Sequence, residues 1–358
     1  MPLHPLRKDY LKTLAEDREA IILADKLNYK EAFVGEHVSD KSEAVTSSLI
    51  FLSSLISETT KIKLGTGTIN LPNNHPAAIA AQVAMIDHLL QGRFILGISP
   101  GGLKSDAEIF GSLEKDRNAM FKECINHILR IWSEEPPYKI KGEFWNVTTE
   151  KTIVREIGQG IIARPFQKPH PEICVTAMSP FSESVSLAVR NDWSVISANF
   201  LQSIGVASHW QKIQEASEKN QSTDTMSNWR VAKSIFVAEK ETTAKKYVKK
   251  IDGAYRHYFG NIRKKILGNG RADLFKIKPN MGIDKITLDF LLDTLVLYGT
   301  PSQVAEKIVS FRNTVGPFET LVYAGHDWEN PELARHSMRL MAEEVMPLVN
   351  KEIQENSV

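Results

Sequence analysis

Cysteine is scarce in this chain of 358 residues. Cys124 and Cys174 are the two present, and they share no spacing typical of a metal or redox site. Each lies in an apolar periodic run, which favours a buried position. The sequence also lacks a signal peptide and an apolar run of membrane-spanning length, so we expect a cytoplasmic protein with no membrane partner. A net charge of +1 gives no electrostatic reason to expect nucleic acid as a partner.

Motifs of several common enzyme classes are absent as well. The histidines form neither an H-E-x-x-H sequence nor Cys/His ligand pairs, and the pair His37 and Asp40 has no evident third ligand, so we expect no metal. No G-x-S-x-G elbow occurs, which argues against a hydrolase. Gly65-Thr66-Gly67 lacks the third glycine of the dinucleotide fingerprint and lies inside a strand-like run.

What the sequence does contain is a repeated alternation of strand and helix patterns. Such repeats predict an α/β protein with parallel strands, either a barrel or a doubly wound sheet, and an α/β barrel reaches this length as one domain spanning residues 1–358. The alternation is interrupted at 134–168, where we expect a small hairpin, and at 255–289. The strands are expected at 31–35, 62–71, 94–99, 173–176, 194–197, 230–238 and 320–323.

These are seven strands, one fewer than a barrel of eight requires. The opening residues Met1-Pro2-Leu3-His4-Pro5 have the character of a loop that follows a strand. We therefore expect the first strand to be missing from this sequence, with its place left open or filled by residues outside it. An open place would leave two strand edges unpaired.

Polar residues and glycines follow two of the apolar runs directly. His37 comes after the run that ends at Gly35, and Ser99 precedes Pro100 and a glycine pair. In a barrel of parallel strands the chemistry lies at the carboxyl ends of the strands, so these residues are expected to face one pocket. His37 is either an acid–base group or a polar residue that binds a loop carbonyl.

A third polar group follows the run that ends at Thr176. Ser179 is a suitable N-cap and Pro180 a suitable first-turn residue for a helix over 180–190. A helix start with hydroxyls from Ser179 and Ser182 beside it suits a phosphate group, whereas Glu183 in the first turn disfavours an anion. A helix that is capped and binds nothing remains the alternative.

Taken in order, the motifs resemble the bacterial-luciferase-like flavin monooxygenases, and most closely the diketocamphane and limonene monooxygenase subgroup. The resemblance covers nearly the whole chain. The segments that carry it are Gly35-Glu36-His37, Gly65-Thr66-Gly67-Thr68, Leu71-Pro72, His75-Pro76, Gly92-Arg93-Phe94-Ile95-Leu96-Gly97, Gly101-Gly102, Arg164-Pro165, Gln167-Lys168-Pro169-His170-Pro171, Gly299-Thr300-Pro301 and Glu344-Val345-Met346-Pro347.

The resemblance implies a (β/α)8 TIM barrel with insertions that binds reduced FMN at its C-terminal face. In this family, oxygen adds to the flavin to give a C4a-peroxyflavin, which attacks a carbonyl or an alkene. The active-site histidine of the family matches His37. The family's non-proline cis peptide matches Gly67-Thr68. Its remaining flavin contacts match Ser99 and Pro100 after the fourth strand of the family and Ala177, Met178, Ser179 and Ser182 after the fifth.

The implied partners are O2, a small organic substrate and a separate NAD(P)H:flavin reductase that supplies the reduced FMN. A homodimer is compatible with the family. Two alternatives remain open on the same fold: a deazaflavin-dependent oxidoreductase that transfers hydride, and a flavin-binding relative without catalytic activity. The substrate is not implied, because the residues that line its site vary widely among relatives.

Overall fold

The computed structural model describes residues 2–220 and 229–355. Its strands, in chain order, are β1 (Glu31–Val34), β2 (Lys63–Thr66), β3 (Ile69–Asn70), β4 (Phe94–Ser99), β5 (Lys139–Ile140), β6 (Val147–Thr148), β7 (Glu172–Ala177), β8 (Ser194–Ser197), β9 (Trp229–Val237), β10 (Val296–Gly299) and β11 (Thr320–Ala324).

The helices alternate with these strands along most of the chain. None of those within the described residues is both long and apolar enough to cross a membrane. They are α1 (Tyr10–Lys26), α2 (Ser48–Ser53), α3 (Pro76–Leu89), α4 (Lys104–Ile109), α5 (Arg117–Ser133), α6 (Glu183–Arg190), α7 (Ser203–Asn220), α8 (Glu241–Lys249), α9 (Ala254–Gly268), α10 (Leu288–Leu295), α11 (Pro301–Val315), α12 (Pro331–Leu340) and α13 (Met346–Glu355).

Helix starts coincide with side chains that satisfy the free backbone N–H groups of a first turn. The Asp116 carboxylate accepts from the backbone of Asn118 and Ala119 at the start of α5. Thr300 and Gln303 form a capping box at the start of α11. Both capping signals are local in sequence, because each joins residues no more than three positions apart.

The chain divides into two compact units. We call Lys30–Cys174 the continuous unit, and Met1–Tyr29 together with Val175–Val358 the split unit. The chain passes from the first to the second inside β7. The prediction of a single domain over 1–358 is not tested by this division.

In the continuous unit, β2 lies parallel to both β1 and β4. The run predicted as one strand at 62–71 is divided, because β2 ends at Thr66 and β3 resumes at Ile69. β3 then pairs with the end of β4, which places Asn70 beside Ser99. The hairpin expected within 134–168 is present as the antiparallel pair β5 and β6.

In the split unit, β9 is the central strand. It pairs in parallel with β8, β10 and β11. Residues on one face of β9 form an apolar core with α11 and the C-terminal helices. The buried members of this core are Ile235, Val237, Val304, Ala305, Ile308, Val309, Leu340, Met341, Val345 and Val349.

The count of seven strands was wrong, because β10 was missed. The apolar segment from Leu288 to Tyr298 passes from α10 directly into β10 with no glycine or proline between them. A short apolar run without such punctuation does not distinguish a strand from a buried helix. The strand becomes recognisable through its end, since it stops at Gly299 just before the cap at Thr300.

A buried charge cluster holds the N-terminal segment in the split unit. His4 donates from Nδ1 to Asp327 at 2.6 Å and from Nε2 to Asp17 at 3.1 Å. Lys8 binds Glu16 and Asp327, each at 2.6 Å. Burial opposes a charge on His4, but the hydrogen bonds and charges of Asp17 and Asp327 outweigh it and raise the pKa of His4 to about 9. His4 is therefore a charged, fully paired group at neutral pH.

This raised pKa predicts a pH-dependent stability. The stabilisation from charged His4 is complete below its unfolded pKa of 6.5 and is lost as pH rises through about 9. Between those values the free energy of unfolding of the wild type should fall by about 3 kcal/mol more than that of His4→Gln. Urea unfolding across this range measures the difference. The exposed-histidine variant His88→Gln should follow the wild type, and parallel curves for wild type and His4→Gln would contradict the assignment.

Candidate functional site

The predicted histidine lies just beyond the end of β1, in the continuous unit. Its Nδ1 donates to the Asp106 carboxylate at 2.9 Å, and its Nε2 lies 3.7 Å from Glu43 Oε2. The His37 side chain is 23% exposed, so the ring can be reached from solvent while one edge is fixed. A donated Nδ1 proton leaves Nε2 of the neutral ring as the basic atom.

Asp106 is the group that orients His37. Its second oxygen accepts from the backbone N–H of Ser39 at 2.9 Å and from the Ser39 hydroxyl. Burial of Asp106 opposes its charge, but the bonds from Ser39 and His37 prevail and lower the pKa of this carboxyl. Asp106 is therefore a carboxylate at neutral pH, and it favours the tautomer of His37 that has its proton on Nδ1.

Glu36, beside His37, has a structural role. One of its oxygens accepts from the backbone and the hydroxyl of Ser48, at 2.9 and 2.7 Å. Burial raises the pKa of Glu36 in spite of these bonds. The Glu36 carbonyl accepts from the Asn70 side chain at 3.1 Å, which ties the end of β1 to β3.

A chain of hydrogen bonds joins three of the polar residues at the ends of β3 and β4. Thr68 donates to the Ser99 hydroxyl at 2.7 Å, and Ser99 donates to Asn70 Oδ1 at 3.0 Å. The peptide bond between Gly67 and Thr68 is cis, as the family resemblance predicted. The structure thus brings together Thr68 and Ser99, which the resemblance marked as flavin contacts, with Asn70 as an additional member.

Two glycines make this arrangement possible. A Cβ on Gly67 would lie 2.9 Å from the Cβ of Phe33 on β1. A Cβ on Gly97 would lie 1.8 Å from the carbonyl oxygen of Thr66. A side chain at either position would collide with the neighbouring strand, so both positions require glycine for close approach.

Arg117 supplies a positive charge next to Pro100. Its Nη2 donates to the Pro100 carbonyl at 2.6 Å, while its buried Nε has no hydrogen-bond partner within residues 2–220 and 229–355. Burial lowers the pKa of Arg117, and the charge of Asp106 opposes that effect. The ends of β1 and β4 thus carry an acid–base side chain, hydroxyls and a cation.

The other predicted contacts lie in the split unit, after β7. Ala177 is fully buried, whereas Met178 is 44% exposed. The Ser179 carbonyl accepts from His209 at 2.8 Å. The Phe181 N–H donates to Ser208 at 2.8 Å. The loop is thereby held by side chains of α7.

The predicted cap at Ser179 is wrong. The helix begins at Glu183 and Ser182 is its N-cap residue, because Phe181 adopts a left-handed conformation with φ of 51° that interrupts any helix begun at Pro180. The Ser182 hydroxyl donates to Ser184 at 2.8 Å, and Ser184 in turn donates to the Thr176 carbonyl. The Ser179 hydroxyl makes no hydrogen bond to any described residue, so its proton is available to a ligand.

Glu183 was expected to disfavour an anion at the start of α6, but a neighbouring cation, Lys212, pairs with its carboxylate. Its carboxylate lies 2.8 Å from the Lys212 ammonium, and this contact lowers the pKa of Glu183. The pair is on the surface and Glu183 is 79% exposed. The negative charge is balanced locally rather than directed at the start of α6.

Sequence reasoning missed Asp106, Asn70 and Arg117. Asp106 lies on α4, a short helix that the pattern did not reveal, and its partner His37 is 69 residues away. Asn70 lies between the segments Gly65–Thr68 and Leu71-Pro72 that carry the resemblance, but no sequence pattern marked it as a site residue. A pairing across so many residues becomes visible in the folded chain alone.

Removing the Asp106 charge should change the protonation site of His37. In Asp106→Asn the amide no longer stabilises a proton on Nδ1, and we expect a shift of the population towards the Nε2–H form. Nitrogen-15 NMR of histidine-labelled protein distinguishes the two forms. Glu43→Gln serves as the control and should keep the Nδ1–H form; identical spectra for Asp106→Asn and the wild type would contradict the role of Asp106.

Comparison with known proteins shows which family of proteins this chain resembles. The model of the family described as "Luciferase-like monooxygenase" matches residues 3–316 of this chain. Limonene 1,2-monooxygenase of Rhodococcus erythropolis is 26% identical, with 98% of this chain and 86% of that protein covered. The 3,6-diketocamphane 1,6-monooxygenase of Pseudomonas putida is also 26% identical, with 92% of each covered.

A solved structure gives the same result. The oxygenating constituent of 3,6-diketocamphane monooxygenase from Pseudomonas putida, a type II Baeyer–Villiger monooxygenase in complex with FMN, superposes with a TM-score of 0.86. The two chains are 25% identical, and 97% of this chain and 96% of that one are covered. The predicted α/β fold of the luciferase-like TIM-barrel class and the predicted resemblance are confirmed. The chain belongs to the luciferase-like monooxygenase family.

Proposed function

We propose that this protein is the oxygenating component of a two-component flavin monooxygenase. It takes up FMNH2 and O2, transfers one oxygen atom to a small organic carbonyl compound or alkene, and releases FMN, with the second oxygen atom leaving as water. The observation that carries the proposal is the His37–Asp106 pair at the end of β1, in a member of this family.

FMN fits the chemistry of the residues present. The relative solved with FMN is described as an oxygenating constituent, which supports a separate NAD(P)H:flavin reductase as partner here. When bound, reduced FMN supplies the electrons that activate O2 at flavin C4a. Gly67, Thr68, Ser99 and Pro100 are the proposed contacts in the continuous unit, with Arg117 supplying a cation suited to an anionic reduced flavin. The proposed contacts in the split unit are Ala177, Met178, Ser179 and Ser182.

His37 is the proposed proton-transfer group. Asp106 holds its Nδ1–H, so Nε2 can accept a proton and later return it. Imidazole suits this role because one ring nitrogen can accept a proton while the other keeps its own. Asp106 acts through His37 and is a positioning residue.

Anaerobic titration with reduced FMN tests the proposal. We expect saturable binding, followed on mixing with O2 and a bicyclic ketone or terpene by product that contains one atom from 18O2. Tight binding of a reduced deazaflavin with hydride transfer, and none of FMN, would instead establish the alternative oxidoreductase. Flavin binding without oxygenated product from any substrate offered would favour a relative without catalytic activity.

Loss of the Ser179 and Ser182 hydroxyls should weaken FMN binding. A hydrogen bond to a charged phosphate contributes about 1–3 kcal/mol, so Ser179→Ala/Ser182→Ala should raise the Kd for FMN by roughly 5- to 150-fold. Because the Ser182 proton is already donated to Ser184, Ser179→Ala alone should give most of the effect. Calorimetry measures the Kd, with the exposed pair Ser133→Ala/Ser310→Ala as control. An unchanged Kd in the double variant would remove both serines from the phosphate site.

Loss of the His37 side chain should uncouple oxygen consumption from product formation. His37→Ala should keep its fold and its affinity for FMN but lose about 100-fold or more in the rate of product formation, the usual contribution of a general acid–base group. The ratio of product to flavin oxidised is the decisive measurement. If this ratio stays at the wild-type value, His37 takes no part in the chemistry.

A further inference from the structure

Besides His37 of the continuous unit, a histidine of the split unit also lies just beyond the end of a strand, and it has no assigned role. His326 follows β11 by two residues and is 8% exposed. Aromatic rings surround it: the ring centroids of Tyr255 and Tyr258 lie 4.2 and 4.7 Å away, and that of Phe259 lies 6.4 Å away. The carboxyl ends of strands are the catalytic end of a barrel, so a buried polar group at this position calls for an explanation.

One edge of His326 terminates a chain of hydrogen bonds. Tyr258 donates to Asn199 Oδ1 at 2.9 Å, and Asn199 Nδ2 donates to the Ser234 hydroxyl at 3.0 Å. Ser234 Oγ lies 2.9 Å from His326 Nε2. All four side chains are buried.

The order of donors fixes the tautomer of His326. Because the Ser234 oxygen accepts from Asn199, its own proton is directed to His326 Nε2. That nitrogen is then an acceptor, and the ring proton lies on Nδ1. The opposite tautomer would leave the Ser234 proton with no acceptor among the described residues.

Burial keeps this ring neutral. Desolvation by the surrounding apolar groups lowers the pKa of His326 to about 3. The ring is thus an uncharged donor at neutral pH.

The Nδ1–H of His326 has no partner in the described part of the chain. A buried N–H without an acceptor is costly, and such groups are rare in folded proteins unless a ligand or water completes them.

His209, in the same unit, shows the completed form of this arrangement. Trp229 donates to Ser197 Oγ at 2.9 Å, and Ser197 lies 2.8 Å from His209 Nδ1. The remaining nitrogen of His209, Nε2, donates to the Ser179 carbonyl at 2.8 Å. His209 and His326 thus receive a serine proton in the same way, but a carbonyl oxygen completes the first histidine and nothing in the described chain completes the second.

We propose that His326 is a substrate-binding residue whose Nδ1–H donates to the carbonyl oxygen of the substrate. The substrate class is therefore a neutral ketone or aldehyde, and an alkene lacks the oxygen that this group requires. A neutral donor among aromatic rings suits an uncharged acceptor better than a carboxylate or phosphate, which would bring a charge into an apolar site. The assignment narrows the proposed monooxygenase reaction, on which it rests, to carbonyl substrates.

Two small ligands of the same shape test the assignment. Cyclohexanone and methylenecyclohexane share one ring and differ in C=O against C=CH2. With 15N-histidine labelling of the full chain, we expect His326 to show the Nδ1–H form, and cyclohexanone but not methylenecyclohexane to shift its Nδ1 resonance. The resonance is assigned by its loss in His326→Phe. An Nε2–H form, or a resonance that cyclohexanone leaves unchanged, would overturn the assignment.

Variants provide the second measurement. His326→Phe keeps an aromatic ring but no donor, and should bind cyclohexanone about tenfold more weakly while its affinity for methylenecyclohexane is unchanged. Tyr258→Phe should weaken cyclohexanone binding in the same direction, because it removes the first donor of the chain. Tyr247→Phe is the matched control: its ring stacks on Phe236, its hydroxyl lies outside the chain of hydrogen bonds, and it should bind as the wild type does. Equal losses for both ligands in His326→Phe would overturn the assignment.

These measurements need neither flavin nor O2. A protein that binds cyclohexanone through His326 but fails the anaerobic FMN titration would refute the monooxygenase reaction and leave the carbonyl site standing. A protein that oxygenates substrates with FMNH2 but shows no difference between the two ligands would refute the role of His326 alone.

Discussion

The hydroxyl of Thr66 binds both backbone groups of Gly97, donating to its carbonyl at 2.7 Å and accepting from its N–H at 2.9 Å. The polar site of the continuous unit depends on this contact, because it sets how closely β2 and β4 approach. Only with no Cβ at position 97 can Thr66 come this near. The register that follows puts Asn70 beside Ser99, and from there Thr68, Ser99 and the end of β1 are joined.

Histidine has opposite protonation states in two parts of the split unit, and the reason is the identity of its neighbours. His4 and His326 are both nearly inaccessible to solvent. His4 has a carboxylate on each ring nitrogen and is charged, while His326 has a serine on one and aromatic rings around it and is neutral. Burial acts against the charge in both cases. Whether the ring is charged depends on whether carboxylates lie close enough to offset the effect of burial on its pKa.

The sequence allowed the strand ends to be predicted, because glycine and polar residues interrupt apolar runs at 35–37 and 99–102. These interruptions predicted His37 and Ser99 as site residues, whereas Thr68 followed from the family resemblance alone. The sequence did not allow β10 to be predicted, since no punctuation separates that strand from α10. The start of α6 was predicted wrongly for another reason: Phe181 has a positive φ, and its N–H donates to Ser208 of α7, a contact that the local sequence does not contain. Asp106 and His326 acquire their roles from partners that are far away in sequence, which a local pattern does not contain.

The division of the chain has a consequence for its synthesis on the ribosome. Asp327 is 323 residues away from its partner His4, and the whole continuous unit is translated between them. At a synthesis rate of roughly 5–20 residues per second, about 16–65 s separate the synthesis of His4 and Lys8 from that of Asp327, which pairs with both. During that interval the continuous unit is synthesised first, and then the strands β8, β9, β10 and β11 of the split unit. The contacts of Asp327 with His4 and Lys8 can therefore form only after β11, the last described strand, has been synthesised.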